Sequence, residues 1–117
     1  AFVQRAIHQA IADTATNTGM VLTVAFDYGS RAELLRAAQK CASNSSSDEP
    51  ITTAAVQSHL YSSEMPDVDL LIRTSGESRI SNFMLWQIAE AKVYFTERSW
   101  PDLDAAEFDA ALALLRT

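Results

Sequence analysis

Apolar and polar positions change period several times along this chain, and each change marks an element boundary. From Phe2 to Thr16 the apolar residues Phe2, Val3, Ala6, Ile7, Ala10 and Ile11 recur at helical spacing. The pattern stops at Asn17, Thr18 and Gly19, residues suited to ending a helix. Met20 to Phe26 is then apolar on both faces and rich in β-branched residues, which predicts a strand buried between helices and parallel to its neighbours. Asp27, Tyr28 and Gly29 turn the chain, and Ser30 with Glu33 forms a capping-box pattern that opens a second helix ending near Cys41. The Ser-rich, acidic stretch from Ser43 to Pro50 reads as a loop.

Ile51 to Leu60 fits a short third helix, which Pro66 separates from a second apolar strand at Val68 to Ile72. A polar loop, Arg73 to Ile80, follows. Ser81 is placed to cap a helix carrying Phe83, Met84, Leu85, Trp86, Ile88 and Ala89, an apolar surface too wide for an exposed helix. Val93 to Thr96 predicts a third strand, and Asp104 with Glu107 opens a last helix bearing Phe108, Ala111, Leu112 and Leu115. Strands alternating with helices predict an α/β fold, part of a parallel sheet flanked by helices. Three strands are few for such a sheet, so partner strands are expected from elsewhere.

The 117 residues suffice for one small domain, which we take as residues 1–117. The net charge of −6 argues against nucleic acid as a partner. Cys41 is the only cysteine, so no intrachain disulfide can form, and a cytoplasmic location is expected. No apolar run is long enough to span a membrane. Ala1 opens directly into a helical pattern with no initiator Met, which suggests a cut chain.

The chemistry concentrates in Arg73-Thr-Ser-Gly-Glu-Ser-Arg-Ile-Ser-Asn82, between a buried strand and the expected helix. Ligands of open parallel sheets bind beyond the carboxyl ends of strands, and free N–H groups at a helix start favour anions. Arg73 and Arg79 can fork onto phosphate oxygens, and Ser81 can donate its hydroxyl. Gly76 allows a tight turn or a close approach, and Glu77 can hold an arginine or lie near a metal. On spacing alone an ordinary surface pair, Arg73 with Glu77, and a plain helix cap at Ser81 explain the same residues equally well.

The segment from Asp69 to Gln87, together with Val93 to Thr96, Trp100 to Leu103, Asn17 to Gly19 and Ala25 to Arg31, resembles the C-terminal half of the cis-prenyltransferases, the undecaprenyl diphosphate synthase or isoprenyl transferase family. The resemblance spans nearly the whole chain and is weakest from Cys41 to Met65. It implies a sheet of the undecaprenyl diphosphate synthase type whose N-terminal half is absent here. It also implies condensation of isopentenyl diphosphate with an allylic diphosphate to make a polyprenyl diphosphate. Arg73, Arg79 and Ser81 would bind the diphosphate of isopentenyl diphosphate, and Ile80 between them would add backbone contacts. A dimer, and peripheral membrane association through the lipid product, belong to the same expectation.

Three departures bear on activity. The resemblance implies a magnesium-binding, glycine-rich segment upstream that nothing in residues 1–117 matches. Lys92 stands where the family usually has a metal-associated glutamate, and Glu90, two residues earlier, is no obvious replacement, so no metal ligand is assigned. The chain ends at Thr117, before the basic tail of many relatives. Alone, the chain is expected to be inactive. A non-catalytic partner subunit and an inactive truncated remnant are the alternatives. His8 and His59 are expected in structural or surface roles, Phe83 and Trp86 in a core, and Arg31 as an indirect support of the site.

Overall fold

The computed structural model describes residues 2–44 and 50–116. Helix α1 spans Phe2–Thr14, α2 Ser30–Asn44 and α3 Thr53–Gln57. Strand β1 is Leu70–Arg73, β2 is Lys92–Phe95, and α4 is Ala105–Ala113. Short 3-10 turns occupy Trp100–Asp102 and Leu114–Arg116.

The two strands pair in parallel, Leu70 opposite Lys92 and Arg73 opposite Phe95. Parallel pairing needs a crossover, and residues 74–91 provide it. Helix α4 packs against β1. Its start is capped as the sequence predicts: the Asp104 carboxylate accepts the Glu107 N–H at 2.9 Å. Helix α3 is likewise capped by Thr52, whose hydroxyl accepts the Ala55 N–H at 3.2 Å. It covers only the middle of the predicted Ile51–Leu60 helix. The core is small, with Ala37, Cys41, Leu60, Ile88 and Ala111 buried.

Four expectations are corrected. Residues 20–26 form no strand among the described residues, and Met20, Val21, Leu22, Val24 and Phe26 are 73–89% exposed. A strand exists only through bonds to a neighbour, and neither β1 nor β2 pairs with this run. The sheet therefore has two strands rather than three. Residues 81–90 make successive turns instead of a helix capped by Ser81. Met84 lies at φ 46, in the left-handed region, which interrupts a right-handed helix. Helix α2 runs on to Asn44 rather than stopping near Cys41, and the centre of the predicted acidic loop, residues 45–49, lies outside the described residues.

The capping box is the fourth. Glu33 does not reach back to the start of α2; it is buried and accepts from the Tyr28 hydroxyl, the Tyr61 N–H at 2.7 Å and Gln87 Nε2 at 3.2 Å. Arg36, one turn on, donates to the His59 carbonyl at 2.6 Å and lies 4.0 Å from the centroid of the Tyr61 ring. Together these bonds fasten α2 to the chain after α3 and to the turns after β1.

Candidate functional site

The polar loop begins where β1 ends. Ser75 and Gly76 both lie at φ 69, two consecutive left-handed residues that fold the chain back toward β2. Their N–H groups bond to the Arg98 and Thr96 carbonyls at 2.7 and 3.0 Å. Thr96 N–H in turn donates to the Arg73 carbonyl at 2.9 Å, extending the strand ladder to the mouth of the site. Gly76 serves the tight turn, and a Cβ there would stand 2.5 Å from Glu97 Oε2.

This fold-back shapes a cavity of about 400 Å³. Arg73, Arg79, Ile80 and Ser81 all line it, with Thr74, Ser75 and Glu77. The four residues singled out from the sequence are therefore brought together at the carboxyl end of β1. Arg73 is half-buried, and its Nε is buried without a hydrogen-bond partner. Arg79 pairs with Glu77 at 3.0 Å, but its side chain is 72% exposed, so the pair is a weak surface one. Two guanidinium groups, one half-buried and one exposed, and a hydroxyl line a cavity whose chemistry suits a multiply charged oxyanion.

Beside the cavity, a second cluster fixes β2 to α4. Tyr94 donates to Glu107 Oε1 at 2.9 Å, and Arg98 lies 3.4 Å from both Glu107 and Asp104. The Thr96 hydroxyl first, then Tyr94, hold the Glu107 carboxyl below its ordinary range. The same bond to Glu107 raises the Tyr94 phenol. The Tyr28 phenol is also raised, by burial first and then by its bond to Glu33.

The residues present do not fit the magnesium that the resemblance implies. Among the described residues Glu77 is the only carboxylate lining the cavity, and it is engaged by Arg79. Lys92 is exposed at the opposite end of the strand pair from Arg73, about 10 Å away along the strands. Among the described residues no three His, Cys, Asp or Glu side chains gather to hold a metal. No step through a metal is derived from this chain.

Of the other sequence candidates, Phe83 is 40% exposed, lines the cavity and meets Tyr28 edge to face at 5.6 Å. Trp86 is half-buried. Arg31 enters through its backbone, donating to Asn82 Oδ1 at 2.8 Å. Asn82 carries no local signal, its partner Arg31 lying 51 positions away, and the helix-cap spacing of Glu33 does not disclose its distant partners Tyr61 and Gln87, 28 and 54 positions away. Among the described residues no helix is long and apolar enough to cross a membrane.

The prenyltransferase family model for undecaprenyl diphosphate synthase matches residues 1–116. An isoprenyl transferase of Neisseria gonorrhoeae is 47% identical over 111 residues, covering 95% of this chain and 44% of the relative. A Photorhabdus laumondii ditrans,polycis-undecaprenyl-diphosphate synthase, farnesyl-diphosphate specific, is 45% identical over 114 residues, covering 94% and 45%. The crystal structure of lavandulyl diphosphate synthase from Lavandula x intermedia, in complex with dimethylallyl diphosphate, superposes with a TM-score of 0.85 at 36% identity. That match covers 98% of this chain and 51% of the other. The chain thus spans about half the length of the proteins it matches. With a parallel β1–β2 pair flanked by helices, a match along essentially its whole length, and this structural likeness, the chain belongs to the undecaprenyl diphosphate synthase family of prenyltransferases.

Proposed function

We propose that this chain contributes the isopentenyl diphosphate-binding half of a cis-prenyltransferase active site. The reading rests on one observation above all: Arg73, Arg79 and Ser81 line a single cavity at the carboxyl end of β1, and Arg73 is half-buried. A diphosphate supplies oxygens for both guanidinium groups and the hydroxyl, and its charge compensates a cation otherwise left half-desolvated. Releasing Arg79 from Glu77 costs little, because an exposed ion pair is worth about 0.2–1 kcal/mol. Ile80 contributes backbone beside them.

The reaction joins the isopentenyl double bond to an allylic carbon, with loss of the allylic diphosphate and of a proton. This chain's part is to bind and orient the acceptor, so that its reacting carbon meets the allylic one in line. The allylic diphosphate would be held by parts of the family fold that these residues do not supply, and a metal bound there would supply charge to offset that of the leaving diphosphate. Alone, the chain binds one substrate and does not condense two. In the native assembly we take it to work as a dimer in the cytoplasm, meeting the membrane through its lipid product. A non-catalytic partner subunit is the second reading, favoured by the engaged Glu77 and the distant, cationic Lys92.

In the native assembly that bears this chain, Arg73→Ala and Arg79→Ala are each expected to weaken isopentenyl diphosphate binding by about 1.5–3 kcal/mol, measured by isothermal titration. Unchanged affinity in both variants refutes the assignment. Intact binding without turnover selects the partner-subunit reading.

A further inference from the structure

The segment carrying Arg79, Ile80 and Ser81 has no helix of its own to hold it, because residues 81–90 are successive turns. Its anchor is the first turn of α2. The Asn82 carbonyl accepts the Ser30 N–H at 3.1 Å, and Asn82 Oδ1 accepts the Arg31 N–H at 2.8 Å. The buried Ser30 hydroxyl accepts the Leu85 N–H at 2.9 Å. A helix start leaves its first N–H groups without intrahelical partners. Here Asn82 satisfies two of them from 51 residues away, so helix and loop cannot shift independently. Gly29 completes the fit: a Cβ there would stand 2.9 Å from Asn82 Nδ2.

We infer that Asn82 is a positioning residue of the diphosphate cavity. By closing the N-terminus of α2 with both its carbonyl and its amide oxygen, it fixes the adjoining residues Arg79 to Ser81 against the cavity, and Gly29 keeps room for its amide. Asn82 does not itself line the cavity. The inference rests on the diphosphate reading and assigns the part of the molecule that sets its geometry. Bland capping of α2 would stabilise the fold without favouring one substrate over the other. A positioning role acts on the acceptor alone.

The test is a cycle of four proteins in the native assembly: unaltered, Asn82→Ala, Gly29→Ala and the double variant. Isothermal titration is run with isopentenyl diphosphate and, separately, with farnesyl diphosphate as the allylic probe. Each single variant is expected to weaken isopentenyl diphosphate binding roughly three- to tenfold, the range for one lost hydrogen bond and its knock-on shift. The double variant loses no more than Asn82→Ala, since both changes break the same contact. Farnesyl diphosphate binding stays within about twofold, the ordinary scatter of independent sites. Equal losses for both probes, additive losses in the double variant, or unchanged binding in Asn82→Ala while Arg73→Ala weakens it, overturn the positioning role and leave the diphosphate reading standing. Unchanged binding in Arg73→Ala overturns both. Should Asn82→Ala not fold, Gly29→Ala alone gives the same readout, because it displaces only the Asn82 amide.

Discussion

Gly76→Ala probes the tightest point of the loop. At φ 69 a residue with a Cβ costs about 1–2 kcal/mol more than glycine. The new methyl would also stand 2.5 Å from Glu97 Oε2 and 3.3 Å from its Cδ. Glu97 is exposed, so its carboxylate can swing into solvent, and the steric share is the smaller one. Relaxing φ instead would break the bonds from Ser75 and Gly76 to Arg98 and Thr96, which tie the loop to the end of β2. The backbone conformation therefore sets the cost, about 1–2 kcal/mol, read as a lowered calorimetric midpoint in the native assembly. Gly76→Asn should lose less, because asparagine tolerates the left-handed region better than alanine. Adding Glu97→Ala to Gly76→Ala should recover almost nothing. Full recovery in that pair would show that the clash dominates, and an unchanged midpoint in Gly76→Ala would refute the backbone argument itself.

Three further outcomes follow from the same geometry. Asp104→Ala removes the cap on the Glu107 N–H and should destabilise α4 by about 0.5–2 kcal/mol in chemical denaturation. Glu33→Ala leaves the Tyr61 N–H and the Tyr28 hydroxyl without their buried acceptor and should cost about 1–3 kcal/mol for each donor that water cannot reach, again by denaturation. The Glu107 carboxyl is depressed in the folded state, so its contribution is present above the ordinary value of 4.5 and lost as pH falls through the folded value. Tyr94 is raised from 10.0, so its contribution is present below that value and lost as pH rises through the folded one. Thermal midpoints should thus hold between those limits and drop on either side, and Glu107→Gln should flatten the acid limb.

What the sequence disclosed depended on where each residue's partner lies. The caps at Asp104 and Thr52 are local, with donor and acceptor three residues apart, and the Asp104 cap is legible from the sequence alone. Strands β1 and β2 were legible from short apolar, β-branched runs, and the cavity from the polar interval that follows β1. Ser30 and Glu33 had the spacing of a capping box, yet each spends its side chain on a distant segment: Ser30 on Leu85, Glu33 on Tyr28, Tyr61 and Gln87. Residues 81–90 failed for the same reason. Their periodicity suited a helix, while bonds to α2 and the left-handed Met84 hold them in turns that pattern reading cannot see. Asn82 had no local signal at all.

The widest disagreement, at residues 20–26, also says the most about what the chain is built to do. A run apolar on both faces stabilises a fold only when covered on both sides and bonded at its edges. Here it is 73–89% exposed at its large apolar positions, and α1 adds Phe2, Val3 and Ile11 at 56–78%. An apolar surface this extensive is far from what a lone soluble domain tolerates. The proteins it matches are about twice as long, and the structural match runs over 98% of this chain, residues 20–26 included in its span. The exposed run thus corrects the buried strand that the pattern predicts, because nothing among the described residues pairs with it or covers it. The cavity at the end of β1 gathers Arg73, Arg79 and Ser81 beside a carboxylate, Glu77, that Arg79 already engages. Under the proposed reading that is a site for one diphosphate, half of what joining two diphosphate substrates requires.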